Sequence, residues 1–313
     1  VSDAHRRLAG APISWGICEV PGWGHQMAPD RVLREMREAG LAATELGPRG
    51  YLPTDAGALA RTLAAGDLRL AAGFVAAVLH LPGRLEGALA QLEPVAGLIA
   101  SAGADVLVVA AAAGGEGYDG REGLDAAGWE ALAEGLGRAE EVAARHGLAL
   151  ALHPHVGTVV ERPEEVLRFL EVTGAGLCLD TGHLFIGGSE PLQVAVAAGA
   201  RVRHVHLKDV DATLAGRVRR GELAYSRAVR RGLFRPLGDG HVDVAALVRR
   251  LDAGGYGGWY VLEQDTALGA EPAAGEGPVA GVVRSVESFE RLTAGVAATQ
   301  TEGREDGQGS QSS

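Results

Sequence analysis

Cysteine is nearly absent from this chain: Cys18 and Cys178 are the only two in 313 residues. Two isolated thiols exclude a disulfide framework and fit a reducing compartment, so a cytoplasmic protein is expected. Cys178 lies inside an apolar run and reads as a small core residue. No stretch of roughly 18 or more apolar residues occurs, which excludes a membrane-spanning helix. Residues 1–7 lead into no apolar run of the kind a signal peptide needs. A G-x-G-x-x-G after the first apolar run is missing too, which argues against an open, doubly wound nucleotide-binding sheet. Lysine is the most telling scarcity. Among 29 basic residues Lys208 is the single lysine, the others all being arginine. Where guanidinium has replaced ammonium throughout, the survivor marks a place that needs a compact point charge or a titratable amine.

The formal net charge is −11, from 40 acidic against 29 basic residues. Such a chain has no general attraction for phosphate backbones or anionic lipid, so neither nucleic acid nor membrane is an expected partner. Short apolar runs alternate with longer amphipathic ones. The strand-like runs are 12–17, 42–46, 70–75, 106–110, 148–152, 176–179, 202–207 and 258–262. Between and after them lie helical patterns at 29–39, 55–65, 85–102, 126–145, 163–172, 191–198, 242–253 and 279–293. Several of these helices open on proline and stop at glycine, as at Gly40, Gly66, Gly103 and Gly147. The strands are continuously apolar, which suits parallel strands covered by helices. The pattern predicts an α/β protein, a single-domain (β/α)8 TIM barrel. Residues 1–10 are expected to be an N-terminal extension and 11–295 the barrel. A long connection follows strand seven at 209–241, with a helical piece near 214–231, and 296–313 form a disordered tail.

Half of the ten histidines fall between positions 153 and 206, each at or just beyond a strand end. Strand five leads into His153-Pro154-His155 and strand six into Asp180-Thr181-Gly182-His183. Strand seven carries His204-Val205-His206-Leu207-Lys208-Asp209, and strand eight ends in Glu263-Gln264-Asp265. In a barrel these strand ends share one mouth. Four adjacent strands each delivering a nitrogen or oxygen donor there predict a site for one divalent metal ion: Mn, Co, Mg, Zn or Fe, since imidazole and carboxylate without thiolate suit all of them. Glu45, in Thr44-Glu45-Leu46-Gly47-Pro48, is either a salt-bridge partner or a substrate contact. The Arg-rich run 218–231 reads as a solvated helix face.

These residues carry a resemblance. Ser14-Trp15-Gly16, Thr44-Glu45-Leu46-Gly47-Pro48, His153-Pro154-His155-Val156-Gly157-Thr158, the run LDTGHLFIGG at 179–188, HVHLKD at 204–209 and VLEQD at 261–265 resemble the xylose-isomerase-like barrel superfamily of sugar isomerases, epimerases and dehydratases. The likeness spans about residues 10–292 and is nearest to the inosose dehydratases. It implies a metal held by donors from strands five to eight. Asp180, His206 and Glu263 match directly, and His153 stands where many relatives have glutamate, with His155 the open alternative. His183 matches a position that commonly contacts substrate. Trp15, Glu45 and Arg235 are further candidate substrate contacts, and Lys208, His183, His155 and Glu45 are the candidate catalytic groups.

A pair of metal-bound glutamates serves epimerases of this kind as opposed proton acceptor and donor. Imidazole at His153 removes half of that arrangement. The resemblance therefore implies dehydration of a keto-sugar or keto-cyclitol through an enediolate, with a sugar isomerase or epimerase as the alternative. The expected partner is a small polyhydroxylated keto substrate, and the connection at 209–241 is a candidate flap or homo-oligomer contact. Endonuclease IV-type repair enzymes share the superfamily but hold several metals and contact DNA, against which the acidic charge argues. A non-catalytic binding protein would not need so complete a donor set.

Overall fold

A computed structural model describes residues 7–115, 117–121 and 123–305, the stretch 294–305 as backbone only. The strands are β1 (Leu8–Gly10), β2 (Ala43–Thr44), β3 (Arg69–Leu70), β4 (Gly73–Ala77), β5 (Val106–Ala111), β6 (Ala149–Leu152), β7 (Gly176–Asp180), β8 (Val202–Leu207), β9 (Asp209–Val210), β10 (Phe234–Arg235) and β11 (Tyr260–Leu262). Nine of them form one parallel sheet in the order β3-β2-β1-β11-β8-β7-β6-β5-β4, and β9 pairs antiparallel with β10. The two ends of the large sheet, β3 and β4, are separated in the chain only by Ala71 and Ala72. They are two halves of one barrel strand, the first bonded to β2 and the second to β5. The ring thereby closes, and the expected TIM barrel is the fold.

The helices are α1 (Pro29–Glu38), α2 (Ala56–Ala65), α3 (Pro82–Ser101), α4 (Ala126–Arg145), α5 (Pro163–Val172), α6 (Thr181–Gly187), α7 (Pro191–Ala198), α8 (Ala212–Arg219), α9 (Tyr225–Arg230), α10 (Val244–Ala253) and α11 (Pro278–Glu305). Proline occupies the first turn of α1, α3, α5 and α7, where its missing N–H costs nothing. Asp55, Asp125, Asp211 and Asp243 cap α2, α4, α8 and α10 by accepting a backbone N–H. No helix among the described residues is long and apolar enough to cross a membrane.

Strand parity sorts the side chains. Leu150, Leu152, Leu177, Leu179, Val205, Leu207, Tyr260 and Leu262 face outward into the main core beneath the helices. Their alternates face inward. Low in the barrel these are small: Ala9, Ala43, Ala71 and Val261 in one cluster, Ala72, Val108, Ala151 and Cys178 in another. At the upper end the same parity delivers Glu45, His153, Asp180, His206 and Glu263 to the interior.

Three boundaries differ from the sequence expectation. The first strand is Leu8–Gly10 and not 12–17, so the supposed extension 1–10 contributes a barrel strand. Pro12 has no N–H for a ladder, and Pro12–Trp15 instead make a tight 3-10 turn ended by Gly16 at φ 83°. The helical piece foreseen at 214–231 is two helices, α8 and α9, broken at Gly221, whose φ of 71° no helix interior accepts. At the other end α11 continues past 296, where the tail was expected to begin; the rest of that tail, 306–313, lies outside the described residues.

Candidate metal centre

Asp180 stands at the junction of β7 and α6, and its two oxygens do different work. Oδ1 accepts the His183 N–H at 2.8 Å and so caps α6. That leaves Oδ2 aimed into the barrel, 3.1 Å from His153 Nε2 and 3.4 Å from His206 Nδ1. Glu263, just past β11, brings Oε2 to 3.0 Å from the same His206 nitrogen. Ligand atoms of Asp180, His206 and Glu263 lie within 4.8 Å of one another, as do those of His153, Asp180 and His183.

Glu45 lies across the barrel and decides how His206 is oriented. Its Oε1 accepts from His206 Nε2 at 3.0 Å and from His204 Nε2 at 2.8 Å. Burial alone would raise the Glu45 pKa, but His206 and His204 hold it well below the usual carboxylate range. With Nε2–H committed to Glu45, His206 turns Nδ1 towards the carboxylates of Asp180 and Glu263. This nitrogen is buried and has no hydrogen-bond partner among the described residues, and the same holds for His153 Nδ1. Between these carboxylates Nδ1 can hold a proton or, in its place, a metal ion, which binds the deprotonated nitrogen. The residues present therefore fit a divalent ion.

Lys208 is the other positive charge in this space. It is 2% exposed, and its ammonium lies 2.7 Å from Glu263 Oε2, 3.1 Å from Asp180 Oδ2, 3.1 Å from Asp265 Oδ1 and 2.9 Å from His183 Nε2. Burial opposes its charge, yet Asp180, Asp265 and Glu263 hold its pKa well above the ordinary lysine value. One ammonium leaves most of the charge on the four buried carboxylates of Glu45, Asp180, Glu263 and Asp265 uncompensated. A bound divalent ion would offset most of the remainder.

His155 is turned differently from His153. Its Nδ1–H donates to the Val156 carbonyl at 2.6 Å, and its ring lies 3.6 Å from that of His183 and 4.3 Å from that of Tyr118. Burial, then the neighbouring His153 and Lys208, push its pKa well below the usual histidine value. It is a neutral imidazole with a free acceptor nitrogen on the cavity wall.

Glu45, His153, His155, His206, Lys208 and Glu263 all line one cavity. Four sequence candidates do not, and of these Asp180 is fully buried against the His153 and His206 rings. Trp15 is fully buried and donates to Glu35 Oε2 at 2.8 Å, a core residue because the 3-10 turn swings its ring down against α1. Arg235 is exposed on β10 and pairs with Asp211 at 3.1 Å, because pairing with β9 carries it away from the mouth. His183 is buried behind the His155 and Tyr225 rings, with Nε2 2.9 Å from the Lys208 ammonium and 3.9 Å from Asp265 Oδ2.

Asp265 and Tyr225 are among the wall residues that the sequence reading did not name as candidates. Asp265 repeats the inward parity of Glu263 two residues on, a signal present in the sequence. Tyr225 donates to Asp265 Oδ2 at 2.6 Å from α9, inside the Arg-rich run that reads as a solvated face. Only the backbone path of the 209–241 connection brings it there.

A family profile described as the xylose isomerase-like TIM barrel matches residues 33–287. An inosose dehydratase of Geobacillus kaustophilus (strain HTA426) is 34% identical over 275 residues, covering 84% of this chain and 89% of its own. The rhizopine catabolism protein MocC of Rhizobium meliloti is 36% identical over 271 residues, 83% of this chain and 81% of its own. Among solved structures, an L-ribulose 3-epimerase superposes with a TM-score of 0.69 over 97% of this chain and 99% of its own. At 18% identity that likeness speaks for the fold alone.

Proposed function

The chain belongs to the xylose isomerase-like TIM-barrel family, and from that premise we propose that it is a divalent-metal-dependent hydro-lyase acting on a keto-cyclitol or keto-sugar, as the inosose dehydratase among its relatives is named to do. The ion would be held by His153, Asp180, His206 and Glu263 and would polarise the substrate carbonyl as a Lewis acid. Mn, Co, Mg, Zn and Fe all suit that donor set.

The observation that carries the reading is the placement of two proton-handling groups of opposite kind on one wall. His155 is neutral, with Nδ1–H spent on Val156 and its other nitrogen open to accept a proton. Lys208 is charged, held by three carboxylates and aimed at the same cavity. In the proposed step His155 takes the proton α to the carbonyl. The electron pair closes the new double bond as the β C–O bond breaks, and Lys208 gives its proton to the departing hydroxyl. Water leaves, and transfer of the proton from His155 back to Lys208 resets both groups. Glu45 acts on His206, fixing its tautomer and ring plane, and His183 positions the Lys208 ammonium.

Lys208→Arg tests the reading. Arginine keeps the charge but loses the compact donor and the ability to give up a proton. Turnover of a keto-inositol should fall by about 10²-fold or more, the scale of a positioned acid, with metal occupancy retained. The wild-type product should lose one water in mass and gain a conjugated carbonyl absorbance. A product of unchanged mass carrying one solvent deuterium, with full activity in the arginine variant, would replace the lyase by an epimerase.

A further inference from the structure

We infer that the metal cavity continues through the barrel wall into a lateral subsite, and that this subsite takes the O-linked substituent of a keto-ring glycoside. The inference rests on the keto-ring reading above and narrows its substrate class. The opening originates in the sheet. β2 pairs with β3 only through Ala43↔Arg69 and Thr44↔Leu70, whereas β4 runs on to Ala77 bonded to β5 alone. The Ala71 N–H still reaches the Thr44 carbonyl at 2.8 Å, and the Leu46 N–H the Ala72 carbonyl at 3.0 Å. Beyond these bonds the segment 46–48 and β4 share no ladder. A slot is left in the wall at the C-terminal end, where a TIM barrel has its site. The middle of β4, Phe74 to Ala76, is only half-buried, while β5 beside it is buried along its whole length.

Glu19, Gly47, Pro48 and Phe74 line both the metal cavity and the groove outside the slot, so the two spaces adjoin. The metal cavity has about 80 Å³ of free space and the groove about 450 Å³. Ligand pockets ordinarily measure ~300–1,000 Å³, a range the groove enters and the inner cavity does not. The groove is floored by Leu46, Leu52, Val75 and Val95 and rimmed by Arg49, Thr54 and Gln91. Arg49 and Gln91 are exposed, and no hydrogen bond or ion pair engages the three rim side chains among the described residues. An apolar floor beneath uncommitted donors and acceptors is what the face and hydroxyl edge of a sugar ring require. The Glu19 carboxylate at the neck disfavours a phosphate there, because like charges repel. A bare keto ring would leave the groove to solvent.

The test compares a keto-inositol with its O-glucosyl derivative on metal-loaded protein, reading kcat/KM, and the corresponding cyclitol with its O-glucoside by titration calorimetry. The glucoside should bind about ten-fold more tightly, the scale at which a pocket discriminates by a modest filled volume. Gln91→Trp, at an exposed position of α3, should abolish that advantage and leave kcat/KM of the bare ring within about two-fold. A glucoside that binds no better than the bare cyclitol, or a tryptophan variant that weakens both alike, overturns the subsite. Turnover of the bare ring with no glucoside preference overturns the subsite and leaves the lyase reading. A tryptophan-sensitive binding preference with no turnover of either compound supports the subsite and overturns the lyase reading.

Discussion

Replacing Glu45 by glutamine changes one charge and almost no volume, and it isolates what a residue that need not touch the metal does for it. In the native arrangement one carboxylate oxygen accepts from both His204 and His206, at 2.8 and 3.0 Å. Glutamine can still offer a carbonyl to one of them, but it loses the negative charge, and its amide confronts any remaining imidazole N–H donor to donor. His206 is then free to tilt or to move its proton to Nδ1, the nitrogen that faces Asp180 and Glu263. Loss of such an outer partner costs roughly 10- to 100-fold in metal affinity, or about 1.4–2.8 kcal/mol at 1.4 kcal/mol per tenfold. Calorimetric titration of metal-free protein with Mn²⁺ and with Zn²⁺ reads this directly. A melt of each metal-free protein first establishes that the variant is folded. An E45Q protein that melts normally and binds both ions within about three-fold of wild type would refute the reasoning, because His206 would then be held by something other than Glu45.

Stripping the ion with a chelator should lower the melting temperature. At a free ion concentration of 100 Kd binding contributes about 2.7 kcal/mol, which in a chain of this size is about 4 °C; an unchanged melt would count against a metal centre. Trp15→Phe removes a buried 2.8 Å bond to Glu35 and should destabilise by about 1–3 kcal/mol in denaturant titration, with KM unchanged. A raised KM would restore Trp15 as a substrate contact. Arg235→Ala should leave kcat and KM within about two-fold, since the side chain is exposed and pairs only across the surface with Asp211. His80 is buried, its Nδ1 has no partner among the described residues, and burial, aided by Arg84, lowers its pKa. The unfolded chain therefore takes up the proton first, and the contribution of His80 to stability is lost as pH falls below about 6.5. His80→Gln should flatten the fall in unfolding free energy between pH 7.5 and 5.5 relative to wild type, and an identical slope would disprove the assignment.

The barrel itself was legible because its signals are local. Proline-opened helices and continuously apolar strands announce themselves within a few residues. Where the expectation slipped, at 12–17, the apolar content is real, but Pro12 denies the ladder a donor and the tight turn follows. The donor set was legible for a related reason. A strand alternates its side chains whatever it packs against, so His204 and His206 on β8, and Glu263 and Asp265 after β11, were bound to share a face with one another.

What the amino-acid order determined alone is therefore the parity of each strand and the presence of a donor at each strand end. Which side chains meet was decided only by tertiary structure. Glu45 finds its partners 159 and 161 residues away. Tyr225 crosses 40 residues to Asp265 because Gly221 breaks a helix that the sequence pattern reads as continuous. Trp15 and Arg235 sit in stretches that looked equally suited to a ligand, and one was drawn into the core and the other onto the surface. The lateral slot exists because a two-residue strand, β2, stops pairing before its neighbour ends. Each of these outcomes depends on closing the ring, which sets strand adjacency and loop paths across the whole chain. No short window of sequence contains that information.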